Sequence, residues 1–262
     1  MPAIYAHKYF GNKVEEKLKE PIKNLIEENI NLFNIGLHGP DILFYYHPLS
    51  SNDINKVGYS IHYENANVFF EKAKKTILHS KNKNASCSYI LGYICHFVLD
   101  SQCHPYVNEF IKKTSISHTE IEVEFDRMLL YQKDSNSFSK DITKHLIFNE
   151  EELSYIAEHY NFPNKIIKKS VKSMAFFNNI LINPNPLIRR SIEFILKMTG
   201  NSADMKGLIM NYEPNPNCYE SNITLKELLD NGVNKAVSLI TEYYENLDLD
   251  TNLNERFNRN FE

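Results

Sequence analysis

The sequence predicts an all-α protein. In most segments apolar residues recur at intervals of three and four positions, whereas the two-residue alternation of half-buried β-strands is scarce. Of the 262 residues, 42% are hydrophobic and 24% are charged, a balance that can fill a sizeable core. No internal repeat, long linker or shift in composition divides the chain. We therefore predict that residues 1–262 form one compact multi-helix domain.

The first predicted helices come from amphipathic periods and from residues that break helices. Residues 12–35 have the pattern of one or two amphipathic helices, with Pro21 in a first turn. Two glycines and a proline between Gly36 and Asp41 predict a sharp loop. The helical period then returns over residues 58–79.

A long buried helix is predicted over residues 84–103. Nearly every residue from Tyr89 to Leu99 is apolar or aromatic, which is typical of a helix buried on almost all sides. We expect its end at about residue 104, because Pro105 disfavours helical dihedral angles in the residue before it.

The remaining helices are predicted from capping signals and amphipathic periods. Ser117 with Glu120 forms a capping box for a helix that runs to about residue 132. Asn149 with Glu152 caps another helix, which runs to about residue 160. Further helices fit 163–182, 186–198 and 224–247. Residues 133–141 and 211–219 are predicted loops, and the tail from Asp248 is expected to be frayed or loosely docked.

Composition and charge narrow the classes of partner and compartment. The net charge of −4 and the isoelectric point near 6.2 give no general attraction to nucleic acid or to an anionic membrane. The four cysteines include no Cys-x-x-Cys pair, so we interpret them as buried and unbridged. The first residues lack the regions of a secretory signal, and no run of about 20 apolar residues is present to span a bilayer. We therefore expect a cytoplasmic protein, or a secreted one if a leader has been removed.

Five residues with side chains that bind divalent metals cluster between positions 84 and 126: His96, Asp100, His104, His118 and Glu122. On an α-helix, residues four positions apart lie on the same face, about 5–6 Å from each other. His96 with Asp100, and His118 with Glu122, therefore form two chelating pairs. A hydrogen bond is the simpler interpretation of one such pair, but a second pair so close along the chain favours a metal site.

The other histidines and the missing motifs narrow the chemistry further. His38 and His47 flank Asp41. Three more histidines, at polar helix ends or in loops, are expected to be solvated: His79, His145 and His159. The sequence has no Walker loop, no Gly-x-Ser-x-Gly elbow, no His-Glu-x-x-His motif and no dinucleotide fingerprint. With only eight glycines, a loop that cradles phosphate is also disfavoured.

An ordered set of short motifs resembles one enzyme family. After an early His7, the chain contains, in order, Gly39-Pro40-Asp41, His62 on a helix, His96-x-x-x-Asp100, His104-Pro105 and His118-x-x-x-Glu122. With this set the sequence resembles the zinc-dependent phospholipase C family, which is similar in fold and metal site to the single-strand-specific zinc nucleases. The resemblance covers residues 1–130 by motif and the remainder by helical pattern.

The resemblance implies two to three zinc ions in a cleft between helices. The first ion would be bound by Asp41, His62, His96 and Asp100. The second would be bound by His104, His118 and Glu122. The third would be bound by His7, by Asp100 as a bridge, and by the amine and carbonyl of the N-terminal residue. Secreted members of the family have a tryptophan there and a longer gap before the residue matching His104, whereas this chain has no Trp and begins Met1-Pro2.

The implied activity is hydrolysis of a phosphodiester, with a phospholipid head group as the leading substrate. Clustered dications bind the phosphate oxygens, acidify a bound water and stabilise the charge that develops on attack. Asp41 would be the catalytic carboxylate that orients or deprotonates the water, a plain metal ligand, or both.

Two alternatives stay open, a nuclease-like phosphodiesterase and a non-catalytic metal-binding protein on the same scaffold. The acidic isoelectric point and the absence of a basic stripe disfavour nucleic acid as a partner. A closed shell of four ligands would mark a purely structural metal site. We expect a phospholipid or another phosphodiester as substrate. The hypothesis allows transient contact with a membrane surface and leaves the oligomeric state open.

Two groups of residues are candidates for contact with a substrate. Six aromatic residues that follow the proposed ligands form a candidate substrate wall: Phe44, Tyr45, Tyr46, Tyr63, Phe69 and Phe70. Four lysines share one face of a predicted helix: Lys165, Lys168, Lys169 and Lys172. Such a row is most often a solvated face and less often a patch for anionic lipid.

Overall fold

Helices make up all the regular structure in the described part of the chain. The computed structural model describes residues 4–133, 141–198 and 207–262. The α-helices are α1 (Ile4–Glu15), α2 (Ile22–Glu28), α3 (Ile30–Gly36), α4 (Asp53–Tyr63), α5 (Ala66–His79), α6 (Lys83–Thr114), α7 (His118–Lys133), α8 (Glu150–Tyr160), α9 (Asn164–Leu181), α10 (Pro186–Met198) and α11 (Tyr219–Glu245). Short 3₁₀ helices span Gly39–Tyr45, Pro216–Cys218 and Glu255–Asn258. The predicted all-α fold class is confirmed, and the described residues include no β-strand.

Helix α6 is the centre around which the other helices pack. Its 32 residues are flanked by α1, α3, α5, α8 and α11, and almost all side chains from Ala85 to Ser101 are buried. This burial confirms the helix predicted from the apolar run, because a helix that is apolar on every side needs neighbours on every side. None of the described helices has the length and apolar character needed to cross a membrane.

The predicted end of this helix was wrong. Helix α6 continues through Pro105 to Thr114, and Ser115 then adopts a left-handed conformation with φ of 61°. A proline inside a helix removes one backbone hydrogen bond and crowds the preceding turn. The helix continues because its last turns have a buried side of their own, formed by Val107 and Phe110. Tertiary packing has therefore outweighed the local preference.

Two predicted helices are interrupted. The segment 12–35 contains the end of α1, then α2 and α3, and the segment 58–79 is divided between α4 and α5. Helix α4 begins earlier than predicted because the Asn52 side chain accepts hydrogen bonds from the backbone N–H groups of Ile54 and Asn55. The predicted loop from Gly36 to Asp41 contains the start of a 3₁₀ helix.

The two predicted capping boxes have different outcomes. At α8 the box is complete, because the Asn149 side chain caps the helix and Glu152 bonds back to the Asn149 N–H. At α7 the Ser117 hydroxyl accepts from the Glu120 N–H at 3.3 Å, but the Glu120 carboxylate accepts from the Asn215 amide. A residue distant in sequence has therefore replaced half of the second box. The predicted loop 133–141 lies largely outside the described residues.

The tail of the chain was expected to be frayed or loosely docked, and it is docked against the core. Phe257 and Phe261 are buried in the main core. The Ala66 N–H donates to the Arg259 carbonyl at 2.9 Å, and the Phe261 N–H donates to the His62 carbonyl at 3.2 Å. The two aromatic rings provide the apolar area that fixes a polar segment against the helices.

Helices α3 and α6 approach so closely that their backbones touch. A Cβ atom on Gly36 would lie 2.1 Å from the Tyr89 carbonyl oxygen, and one on Gly92 would lie 2.2 Å from the Phe33 carbonyl oxygen. Neither oxygen can move without distorting its helix. Glycine at these two positions therefore sets the spacing between α3 and α6.

We expect Gly92→Ala to lower the free energy of unfolding by about 1–3 kcal/mol, the usual cost of overpacking a core. Gly232→Ala in α11 is the control, because its Cβ would meet side chains and no backbone, the Phe10 ring at 3.2 Å and Val98 Cγ1 at 3.8 Å, and alanine favours the helix. Thermal unfolding of both variants checks this. Equal melting temperatures would contradict the backbone contact as the constraint.

Candidate metal centre

All eight residues proposed as metal ligands lie together, although they come from five elements. His7 is on α1, Asp41 on the 3₁₀ helix Gly39–Tyr45, and His62 on α4. The other residues lie on α6 and α7: His96, Asp100, His104, His118 and Glu122. Seven of the eight side chains are buried, and His118 is 28% exposed.

The first group surrounds one side of the Asp100 carboxylate. The Oδ2 atom of Asp100 lies 3.1 Å from His96 Nε2 and 3.8 Å from His62 Nε2. The Oδ1 atom of Asp41 lies 3.0 Å from His62 Nε2 and 3.8 Å from His96 Nε2. The Asp41, His62 and His96 side chains bring ligand atoms within 4.8 Å of one another, the span of a single cation, and Asp100 Oδ2 adjoins this group.

A second and a third group adjoin the other side of Asp100. Glu122 Oε1 lies 2.9 Å from His118 Nε2 and 3.4 Å from His104 Nε2. Asp100 Oδ1 lies 3.3 Å from His7 Nε2 and 3.9 Å from His104 Nε2. The His7, His96 and Asp100 side chains, and those of His104, His118 and Glu122, each bring ligand atoms within 4.8 Å of one another. Asp100 is thus common to the whole cluster.

Gly39 explains how the segment with Asp41 can approach α6. Its φ of 43° is in the left-handed region that glycine adopts at little cost. A Cβ atom at this position would lie 2.4 Å from Cδ2 of His96. The glycine therefore permits both the turn into the 3₁₀ helix and its contact with the imidazole ring.

Backbone carbonyls orient three of the imidazole rings. The Nδ1 atoms of His62 and His104 hydrogen-bond to the carbonyl oxygens of Gly58 and Phe261 at 2.8 and 2.7 Å. His96 Nδ1 contacts the Leu37 carbonyl oxygen at 3.3 Å. A proton on each Nδ1 leaves Nε2 as the atom with a free lone pair, directed at the cluster.

Several buried atoms of the cluster fit a cation better than they fit one another. His62 Nε2, His96 Nε2, Asp100 Oδ2 and Glu122 Oε2 are buried without a hydrogen-bond partner in the described part of the chain. Leaving a buried polar atom unsatisfied costs about 1–3 kcal/mol, so four together are unusual. A bound metal ion satisfies such atoms, and this mixture of imidazole and carboxylate ligands suits zinc.

The charges of the cluster keep its carboxylates ionised. Burial raises the pKa of Asp100, but the imidazoles of His96, His104 and His7 outweigh this effect and hold the pKa well below its ordinary value. Burial lowers the pKa of His104, but Asp100 and Glu122 outweigh it and raise the pKa to about 10. In the absence of a cation, protons on imidazoles therefore balance the carboxylates. A metal ion that binds must displace them.

Asp126 supports the cluster, and sequence reasoning missed it. Its carboxylate oxygens accept hydrogen bonds from the backbone N–H groups of Tyr5 and Ala6 at 2.9 and 2.7 Å. These N–H groups belong to the first turn of α1, which has no intrahelical acceptor for them. Asp126 therefore positions the turn that carries His7. Its place four residues after Glu122, on the same face of α7, was the available signal.

Two of the histidines that were expected to be solvated are enclosed instead. His145 Nε2 lies 2.7 Å from Nε2 of the buried His38, and His159 Nε2 lies 2.9 Å from the Ser86 hydroxyl. Burial lowers the pKa of both His145 and His159 to about 3, so both are neutral at physiological pH. The error arose because sequence alone does not show which helix covers a polar helix end.

A cavity of about 720 Å³, here called the apolar cavity, opens beside the cluster. His118 and Glu122 are part of its lining, and most of the remaining lining comes from the 3₁₀ helix Gly39–Tyr45, α4, α9 and α10. Of the predicted substrate wall, Phe44, Tyr45 and Tyr63 line the cavity. The other three have different contacts: Phe70 is in the core, Phe69 stacks on Tyr93, and Tyr46 lies beneath Lys169.

Comparison with known proteins agrees with this geometry. Residues 6–183, more than half of the chain, match the sequence model of the family described as zinc dependent phospholipase C. The matched range includes all eight residues of the cluster. No curated protein and no solved structure matches the chain. From the length of the family match, we conclude that the chain belongs to the zinc-dependent phospholipase C family.

Proposed function

We propose that this protein is a zinc-dependent hydrolase that cleaves the head-group phosphodiester of a phospholipid. One observation carries the proposal: converging imidazole and carboxylate groups adjoin an apolar cavity, and two of them, His118 and Glu122, line it. The cluster suits the phosphate of such a lipid, and the cavity suits its hydrocarbon part. Membership of the family supports the same reaction class.

The proposed ligand sets follow the three groups of side chains. Asp41, His62, His96 and Asp100 hold one zinc ion, and His104, His118 and Glu122 hold a second. His7 would contribute to a third, together with Asp100, which the first set also includes. The expected amine and carbonyl of the N-terminal residue lie outside the described residues. Partial exposure of His118 leaves the second group open towards the cavity, as a catalytic rather than a closed structural site requires.

The residues of the chain have distinct parts in the reaction. Zinc ions in such a site draw the phosphate oxygens, acidify water and neutralise the charge that develops during attack. Asp41 orients the attacking water and accepts its proton, because its buried carboxylate lies at the edge of the first group, 3.0 Å from His62 Nε2. The apolar cavity holds the diacylglycerol side of the phosphodiester and excludes bulk water.

Lipid is favoured over nucleic acid by the lining of the cavity. Phe177, Ile180, Leu181 and Ile192 form one wall of it, and the net charge of the chain is −4. A nucleic-acid groove needs cationic groups along the path of the backbone. Tyr59 and Tyr63 provide rings on which bases can stack, so a nuclease-like activity is the second candidate.

We expect purified protein to contain two to three zinc ions per chain. We expect His96→Gln to reduce zinc affinity at least tenfold, because losing a residue that only hydrogen-bonds to a metal ligand already lowers metal affinity by about 10–100-fold. His159→Gln is the matched control, because His159 is also buried but bonds to Ser86 outside the cluster. Elemental analysis and chelator competition measure both. Equal zinc affinity in the two variants would contradict the ligand assignment.

We expect Asp41→Asn to slow hydrolysis of bis(p-nitrophenyl) phosphate by roughly 10²–10⁴-fold while zinc content falls little. Asparagine has a similar shape but cannot accept the proton. Asp53→Asn on the surface of α4 is the control and should retain wild-type turnover. Unchanged turnover in Asp41→Asn would remove Asp41 from the mechanism, whereas joint loss of zinc and turnover would make it a ligand only.

Substrate class is tested with lipids of different chain length below their critical micelle concentrations. We expect kcat/KM for dihexanoyl phospholipids to exceed that for the dibutyroyl lipids by roughly 10²-fold, since the four added methylenes contribute about 0.8 kcal/mol each when buried. Lipids with choline, ethanolamine and glycerol head groups are compared with single-stranded DNA. Faster cleavage of DNA, with no effect of chain length, would favour the nuclease.

A further inference from the structure

Large apolar side chains stay exposed around the mouth of the apolar cavity. Tyr63, Phe176 and Ile195 line the cavity but are still 67%, 59% and 50% exposed. On α10, Leu187 and Phe194 extend this surface and are 71% and 64% exposed. We call these five residues the apolar rim. Scattered single apolar residues are normal on a protein surface, but several large ones on the helices that line a binding cavity mark an interaction site.

Helix α10 presents much of its apolar surface outward. Leu187 and Phe194 are two turns apart on the outer side, and Ile195 follows on the cavity side. The polar Arg189 is buried together with Leu196, and its guanidinium lies 4.3 Å from the centre of the Tyr212 ring. A helix on the surface of a water-soluble domain normally turns its apolar side inward. Large apolar side chains that stay exposed on the outer side of a helix, beside cations, are typical of a helix that lies in a lipid interface.

Basic side chains border the same surface. Lys165, Lys172 and Phe176 lie at helical spacings on the exposed side of α9, and Arg190 is exposed on α10 next to the rim. The whole chain has a net charge of −4, so these cations attract anions only locally. Basic groups beside an apolar insertion surface match the layered chemistry of a membrane, where phosphates lie just outside the hydrocarbon.

We propose that the apolar rim inserts into the surface of a phospholipid bilayer, with Lys165, Lys172 and Arg190 against the lipid phosphates. This proposal rests on the proposed function and identifies the physical state of its substrate. The mouth of the cavity then faces the membrane directly, and a lipid chain moves from the bilayer into the cavity without crossing water. Its phosphodiester comes to rest beside His118 and Glu122.

The test is sedimentation of the zinc-loaded protein with vesicles of phosphatidylcholine alone or with 30% phosphatidylglycerol. Wild type and Asp41→Asn are expected to bind equally, since insertion does not need turnover. The double variant Leu187→Ser/Phe194→Ser is expected to have an affinity for vesicles lower by about tenfold or more, because it removes two large inserting groups. Leu249→Ser is the control, because Leu249 is 51% exposed on the loop after α11, beside α5.

The charge part of the proposal has its own variant. Lys165→Gln/Lys172→Gln is expected to reduce binding to the vesicles with phosphatidylglycerol severalfold and to leave binding to phosphatidylcholine unchanged, because each basic residue near an anionic surface contributes independently. Binding of the wild type to the anionic vesicles should weaken as salt is raised. Equal loss on both vesicle types would contradict the role of the lysines.

Three results would overturn the proposal: no vesicle binding by the wild type, unchanged binding by the rim variant, or a dimer that the rim variant converts to monomer. Turnover of bis(p-nitrophenyl) phosphate is followed in parallel, and the rim variant should retain it. Turnover without vesicle binding would reject the membrane surface and leave the proposed function in place. Vesicle binding without turnover of any phosphodiester would reject the function and leave the surface in place.

Discussion

The position of the Asp100 carboxylate is the constraint on which the rest of the structure depends. It lies on a helix surrounded by protein, where an isolated charge is costly, and one of its oxygens has no hydrogen bond in the described part of the chain. Nε2 atoms of four imidazoles surround it at 3.1–3.9 Å. Such a centre is stable only when its positive partners are held in place. The packing around α6 serves this purpose.

The surrounding chain holds the imidazoles through its backbone more than through side chains. Carbonyl groups of Gly58 and Phe261 fix two rings, and Asp126 fixes the helix turn that carries His7. The contact of Phe261 with His104 also explains why the tail is ordered, since its two buried aromatic residues anchor that carbonyl. Stability and the geometry of the site therefore depend on the same contacts.

The cluster is polar and the adjoining cavity is apolar, and together they fit a substrate that has both a phosphate and a hydrocarbon part. A polar centre that suits a phosphate lies within reach of a space lined by aromatic and aliphatic side chains. Phospholipids combine these two chemistries in one molecule. The exposed apolar surface then continues from the cavity onto α10, which lies beyond the range matched by the family. The cluster therefore lies within the part of the chain that the family shares, whereas the exposed apolar surface on α10 lies outside it.

Residue order alone predicted the all-α class, the buried central helix and five residues of the cluster, His96, Asp100, His104, His118 and Glu122, because helical period and i,i+4 pairs are local properties. The other three, His7, Asp41 and His62, were implied by the resemblance to the family. Residue order failed at the continuation of α6 through Pro105, at the enclosure of His145 and His159, and at Asp126, and it left open whether the tail is frayed or docked. Each of these depends on a partner far along the chain, such as Tyr5 for Asp126 or Phe261 for His104. The cavity and its exposed rim were equally hidden, because they arise where α4, α9 and α10 meet. Local sequence thus specifies helices and candidate ligands, whereas contacts between distant residues decide which side chains are buried, how the rings point and where the surface stays apolar.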